Sequence, residues 1–386
     1  MLSLNFGSSP ARRQLWLTVH RWLGLILLLL SIPIGLTGSV NVYHREIDRW
    51  LYPSFFEPVA RGSPLPLNRI LEIVRAQDPA PVISMILPDA YWPVVLVHQR
   101  QGPVVWRTSV DPVSGKILGR RDQTHAILPT LYRLHQELLL KPYWGEELVG
   151  LSGIALALSC LSGLWLWWPK PQRFWKSVTM RRGQSWYRTV WDLHSALGFW
   201  SCLVMLVVAI SGAVLSFPKA SATLLGIIAP SREYEPARVD RADETPIKDP
   251  DGILRAASAH RPHDVALVLG LPTKRSNTWR VAMRGSNYHG VVGGLTQLWI
   301  DPWTYQVVQE KSDGHWTNGD MIVALQFPLH NGSLLGEPGR VVVFLSGLAL
   351  PLLGVSGLVI WWHKRRLQQR AAQARRDKKI TRALPD

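Results

Sequence analysis

The stretch LWLTVHRWLGLILLLLSIPIGLTGSVNV, residues 15–42, decides the fold class. It is apolar apart from a few groups such as His20 and Arg21, and it exceeds the roughly 20 residues a helix needs to cross a hydrocarbon core. Arg12 and Arg13 precede it in the manner of a signal peptide. Its apolar part is too long for one, and no small-residue cleavage site comes before Tyr43-His44-Arg45-Glu46, so it reads as a retained transmembrane helix. Runs 148–168, 189–217 and 341–362 have the same character, and four spans suit a chain of 386 residues that is 47% hydrophobic.

The four spans set the domain order. A first span (14–44) is followed by an external domain (45–146), a second span (147–168) and a basic connector (169–188). A third span (189–217), a second external domain (218–339), a fourth span (340–363) and a basic tail (364–386) complete the chain. The net charge of +16 suggests nucleic acid until its placement is examined. The connector carries Lys170, Arg173, Lys176, Arg181, Arg182 and Arg188 with no acidic residue, and the tail carries nine Lys or Arg against Asp377 and Asp386. Short basic segments beside spans mark the cytoplasmic side, so both termini and the connector are expected inside and the two long loops outside. DNA binding requires no such asymmetry, and no nucleic-acid partner is expected. Membrane lipid explains the basic inner face as well as an acidic protein partner does.

Of the nineteen Trp, eleven gather at span ends, among them Trp16, Trp22, Trp167, Trp168, Trp361 and Trp362, and most read as interfacial anchors. The two cysteines, Cys160 and Cys202, lie inside spans and are too few for a disulfide framework or a four-thiolate cluster. The run 290–294 has the wrong spacing for a dinucleotide-binding turn.

The chain repeats itself. Val19-His20-Arg21-Trp22-Leu23-Gly24 matches Leu193-His194-Ser195-Ala196-Leu197-Gly198, and 18 residues separate His20 from Gly38 just as they separate His194 from Gly212. Leu134-His135 precedes Ser162-Gly163 and Trp167-Trp168, while Leu329-His330 precedes Ser356-Gly357 and Trp361-Trp362. Val110-Asp111-Pro112 and Ile300-Asp301-Pro302 lie upstream of the matched Leu-His pairs. The expected fold is therefore a membrane all-α bundle of four helices built as a tandem two-span repeat, related by an axis along the membrane normal. Two small external α+β domains carry antiparallel strands near 94–97, 104–110, 265–269, 279–283 and 297–300.

Eighteen residues are five helical turns, so His20, Gly24 and Gly38 share one face, as do His194, Gly198 and Gly212. Glycines one turn from an imidazole leave room for a flat macrocycle, although they also serve simple helix packing. An ionisable group within a span is by default functional. Matched histidines on different helices suit a b-type haem, whose iron takes one nitrogen from each porphyrin face. His20 and His194 form the candidate pair at one membrane face, His135 and His330 that at the other, and two b-type haems follow. Zinc normally wants three or four protein ligands, often with a carboxylate or thiolate among them, and a proton relay usually shows acidic residues in the spans. Satisfied structural histidines are the remaining alternative. His44 and His363 also sit at span ends but have no repeat counterpart, and they stand as second-choice ligands.

Taken in order, His20 to Gly24, Gly35-Leu36-Thr37-Gly38, Glu46-Ile47-Asp48, Leu134-His135, His194 to Gly198, Ser211-Gly212 and Leu329-His330 resemble the PepSY-associated transmembrane family of bacterial iron-regulated proteins. The chain is most similar to that family's di-haem, ferrioxamine-type siderophore reductases. The resemblance implies a bacterial inner-membrane protein with PepSY-like external domains that reduces the iron of a ferric siderophore, hydroxamate type, on the periplasmic side. Because the sequence shows no dinucleotide-binding turn, P-loop or built-in flavin or nicotinamide domain, the electron donor is expected to be separate, a quinol or a cytoplasmic reductant. The alternative is a non-enzymatic membrane protein whose external domains bind or regulate a peptidase. A permease would need a polar midplane site, and these midplanes are Leu, Val, Ile and Gly.

Overall fold

The computed structural model describes residues 9–383, except 170, 182, 228, 230–234, 236, 241–244, 274–275, 286–294 and 313–315. Lys170, Arg182 and the run 290–294 thus lie outside the described residues. The chain opens with α1 (Pro10–Val42), capped by the Ser9 hydroxyl, which accepts from Arg12 N–H, with Pro10 at the first helical position. That pairing of cap and proline is a strong helix start. Then come α2 (His44–Leu51), α3 (Leu67–Gln77), β1 (Val82–Ile86), β2 (Val95–Gln101), β3 (Val104–Val110), β4 (Ile117–Asp122), α4 (Ile127–Glu137) and α5 (Gly145–Trp167). The second half runs through α6 (Phe174–Ser177), α7 (Trp186–Ser216), α8 (Pro218–Gly226), α9 (Pro250–His260), β5 (Val265–Gly270), β6 (Trp279–Arg284), β7 (Leu295–Ile300), β8 (Val307–Lys311), α10 (Asn318–Asn331) and α11 (Gly336–Ala383).

Helices α1, α5, α7 and α11 are long and apolar enough to cross a membrane, and this is a membrane protein of four such helices. They form a ring in which α1 packs on α11 and α5, and α7 packs on α5 and α11. Small residues bring the backbones close. A Cβ at Gly35 would stand 2.7 Å from the Gly347 carbonyl, and one at Gly153 would stand 2.9 Å from the Ala209 carbonyl, the close approach that membrane helices use in place of a hydrophobic drive. Ser39 of α1 donates its hydroxyl to the Phe344 carbonyl of α11 at 2.8 Å. Leu29 and Leu203, both largely exposed, lie on the outer face of the ring.

At one end of the ring stands one antiparallel sheet in the order β4-β3-β2-β1-β5-β6-β7-β8. The two segments expected to be external are therefore not separately sheeted. Each contributes four strands, and β1 joins β5 in the register Ser84 to Gly270, Met85 to Leu269 and Ile86 to Val268. One face is covered by α3 and α9, whose Ile70, Leu71, Val74, Ile253 and Ala257 bury against Met85, Leu269, Met283 and Leu298. Facing the helices, a smaller cluster holds Phe55, Phe56, Trp92, Val94 and Leu96. The two Asp-Pro sequences form matched turns between β3 and β4 and between β7 and β8. Asp111 accepts from Val113 and Ser114 N–H, Asp301 from Trp303 N–H. Four residues on, Gly115 and Tyr305 both take positive φ, +73° and +57°; only the first is the residue that conformation favours.

Candidate functional site

Four histidines meet in two pairs. The rings of His20 and His194 lie 6.4 Å apart, centre to centre, and those of His135 and His330 lie 5.9 Å apart. Each pair draws one residue from each half of the chain. His20 and His194 stand near the starts of α1 and α7, and His135 and His330 near the ends of α4 and α10. Since His135 packs on Gly38, eighteen residues along α1 from His20, the two levels are separated by about 27 Å.

Every one of these imidazoles is seated in the same way, on a glycine of another helix. A Cβ would fall 2.8 Å from His135 Cε1 at Gly38, 2.8 Å from His330 Cε1 at Gly212, 2.9 Å from His20 Cε1 at Gly163 and 3.4 Å from His194 Cε1 at Gly357. Helical side chains lean toward the N-terminus over the preceding turn. A glycine therefore uncovers the carbonyl four residues earlier, and an imidazole can reach it. His135 Nδ1 donates to the Ile34 carbonyl and His330 Nδ1 to the Val208 carbonyl, both at 2.9 Å. His20 Nδ1 lies 3.2 Å from the Ser159 carbonyl and 3.1 Å from Ser162 Oγ. His194 Nδ1 lies 2.9 Å from Ser356 Oγ, and the Leu353 carbonyl also bonds this ring. A carbonyl only accepts, so Nδ1 carries the proton and Nε2 keeps its lone pair.

That is the arrangement metal-bound histidines use to fix tautomer and ring direction. Two imidazoles bound on opposite sides of one metal at about 2 Å each place their ring centres on the order of 6 Å apart. Among the described residues no group of three or more His, Cys, Asp or Glu gathers to hold a metal ion. Two nitrogens alone therefore suit an iron whose other positions are filled by a porphyrin. In the cleft that His135 and His330 line, both polar atoms of the Asn41 amide are buried with no hydrogen bond.

The sequence singled out Gly24, Gly38, Gly198 and Gly212 as room for a macrocycle. Gly38 and Gly212 instead seat imidazoles, a Cβ on Gly24 would meet open space, and one on Gly198 would meet only Leu353 at 3.7 Å. Gly163, Gly357, Ser162 and Ser356 were visible only as a repeated Ser-Gly; their part in holding His20 and His194 needed the helix partners. The two second-choice histidines are brought to neither pair. His44 Nδ1 turns back on the Asn41 carbonyl at 2.9 Å. His363 stacks on Tyr187 at 4.1 Å with the Trp186 edge beside it. Cys202 Sγ lies 3.6 Å from the Cys160 carbonyl, and both thiols are free.

Between the sheet and the helix ring opens a cleft of about 2700 Å³, whose lining includes His135, His330, Gly38, Gly212, His44 and Asn41. Ligand sites usually occupy about 300–1,000 Å³, so this one has space for more than a single flat group. No curated protein matches the chain. Residues 17–364, from the first span to just beyond the fourth, match the model of the PepSY-associated TM region, and the chain belongs to that family.

Proposed function

We propose that this protein is a di-haem oxidoreductase that carries electrons across the bacterial inner membrane and reduces the iron of ferric siderophores. The observation that carries this reading is the doubled histidine pair: two sites, about 27 Å apart along α1, each with its rings about 6 Å apart, Nδ1 committed to a carbonyl or hydroxyl and Nε2 keeping its lone pair. His20 and His194 would hold one b-type haem and His135 and His330 the second. When bound, haem supplies a one-electron couple at each level. The chain's own part is to fix ring direction through the Ile34, Val208, Ser159 and Ser356 contacts, and to admit a chelate to the cleft beside the outer pair. A ferric chelate gives up its iron more readily once that iron is Fe(II), and no acid–base residue is required for that step. Hydroxamate siderophores follow from the family resemblance. The electron donor is a quinol or a cytoplasmic reductant.

The same reading makes the chain a tandem two-span repeat with both termini and the basic connector cytoplasmic and the sheet periplasmic. A reduced-minus-oxidised spectrum of the protein purified from haem-supplied cells tests it. Bands of bis-histidine haem are expected, with His20→Ala and His135→Ala each lowering haem content by about half. A spectrum without haem bands would overturn the reading.

A further inference from the structure

The charge of the cleft says which chelates it favours. Among its described lining residues are ten Lys or Arg and six Asp or Glu, a formal excess of four positive charges, and Glu137 beside the lining pairs with Lys141. The acids are already engaged: Asp48 pairs with Arg107 and Arg121, Asp89 with Arg45, and Glu46 and Glu337 with Arg340. Arg100, Arg284 and Lys219 line the cleft with no acidic partner among the described residues, and Arg100 and Lys219 are exposed. Among the described residues Arg133 bonds the Thr124 carbonyl and Thr130 hydroxyl, and its Nε is buried without a partner there. The two propionates of a haem held by His135 and His330 would offset at most half of this formal excess. Apolar walls concentrate the resulting field, because the ring and sheet exclude water around it.

We infer that the cleft is a site for ferric chelates of net negative charge, discriminating by the charge at the chelate's periphery and not by its iron-binding core. The inference rests on the reductase reading, since it concerns the substrate of that reaction. A haem held by His135 and His330 would supply the one electron that takes chelated Fe(III) to Fe(II), its own iron passing from ferrous to ferric. Attraction by Arg100, Arg284, Lys219 and Arg133 raises the local concentration of an anion and lowers that of a cation. Electrostatic focusing of this kind changes encounter rates by about 10- to 1,000-fold.

Three ferric chelates with one linear trihydroxamate core make the test, because the core fixes the iron's potential. Their free end carries an ammonium, an acetamide or a succinamate, so that net charge alone changes. The haem-loaded, full-length protein is reduced, freed of excess reductant and mixed anaerobically with each while haem oxidation is followed. The expected rates rise from cation to anion by at least about tenfold at low ionic strength, and the gap closes toward 1 M salt, where the screening length is about 3 Å. Arg100→Glu with Lys219→Glu is expected to cut the anion-to-cation ratio by about tenfold, with the haem spectrum unchanged. Equal rates for the three chelates, or a faster cation, in protein with a normal haem spectrum would overturn the inference while leaving the reductase reading intact. If no haem binds, the reductase reading falls, and equilibrium binding of the three chelates by tryptophan quenching still decides the charge preference.

Discussion

At Gly38 a Cβ would stand 2.8 Å from His135 Cε1, while at Gly24, one helix face and four turns away, it would meet nothing within 4 Å. The His135 ring cannot simply yield, because its Nδ1 is tied to the Ile34 carbonyl at 2.9 Å. Gly38→Ala is therefore expected to push the imidazole off that bond and to lower the haem content of the purified protein by about half, whereas Gly24→Ala leaves it unchanged. A pyridine haemochrome assay distinguishes them; equal haem in both variants would remove the seat from the argument. The sequence made the glycines at positions 38 and 212 conspicuous through their spacing from His20 and His194. It could not show what fills the space they leave, because the occupant, an imidazole from α4 or α10, is about a hundred residues distant. Gly163 and Gly357 were harder still, since a Ser-Gly inside an apolar run reads as packing until the facing helix is known.

Among the elements, the four long helices were legible because hydrophobic length is a local property, and three of the eight strands were not, for local reasons too. β4 contains Arg120, Arg121 and Asp122 at the sheet edge, where polar residues guard an unpaired strand, and β8 carries Gln309, Glu310 and Lys311 at the other edge. β1 joins β5 across some 180 residues, and no pattern in either strand announces it. The seam between α2 and the sheet is ionic. Asp48 of α2 takes both Arg121 nitrogens, at 2.8 and 2.9 Å, and Arg107 at 3.4 Å. Behind Arg107 lies His98, whose Nε2 accepts from Arg107 Nε at 3.0 Å. Burial and then the Arg107 charge push His98 down to about 3, so it stays a neutral acceptor. Asp48→Asn strips from two mostly buried guanidinium groups, Arg107 and Arg121, the only carboxylate that pairs with them among the described residues. Breaking such a pair costs about 3 kcal/mol or more, and the detergent-solubilised protein should unfold at a clearly lower temperature. Arg69→Ala, which removes an exposed pair with Glu72, should cost under about 1 kcal/mol. Similar melting temperatures for the two variants would show that the seam is not ionic in effect.

Over the whole molecule, the two halves of the chain interlock wherever the function is proposed to reside. α1 of the first half packs on α11 of the second, α5 packs on α7, and β1 completes its sheet against β5. Both histidine pairs likewise take one ring from each half. The covalent link between the halves is the basic connector, whose Gly183 has φ +73° and open space where a Cβ would stand. Cutting the chain there removes no packed side chain, and the entropy that the tether saves grows only slowly with loop length. Fragments 1–183 and 184–386, co-expressed, are therefore expected to copurify and to show the haem spectrum of the uncut protein. Each fragment alone holds a single histidine at each level, so neither should give the bis-histidine spectrum, however well its two spans insert. The comparison separates cross-half ligation from ligation within a half by spectrum alone. A normal spectrum from either fragment by itself would mean that His20 and His194, and His135 and His330, are neighbours without being joint ligands.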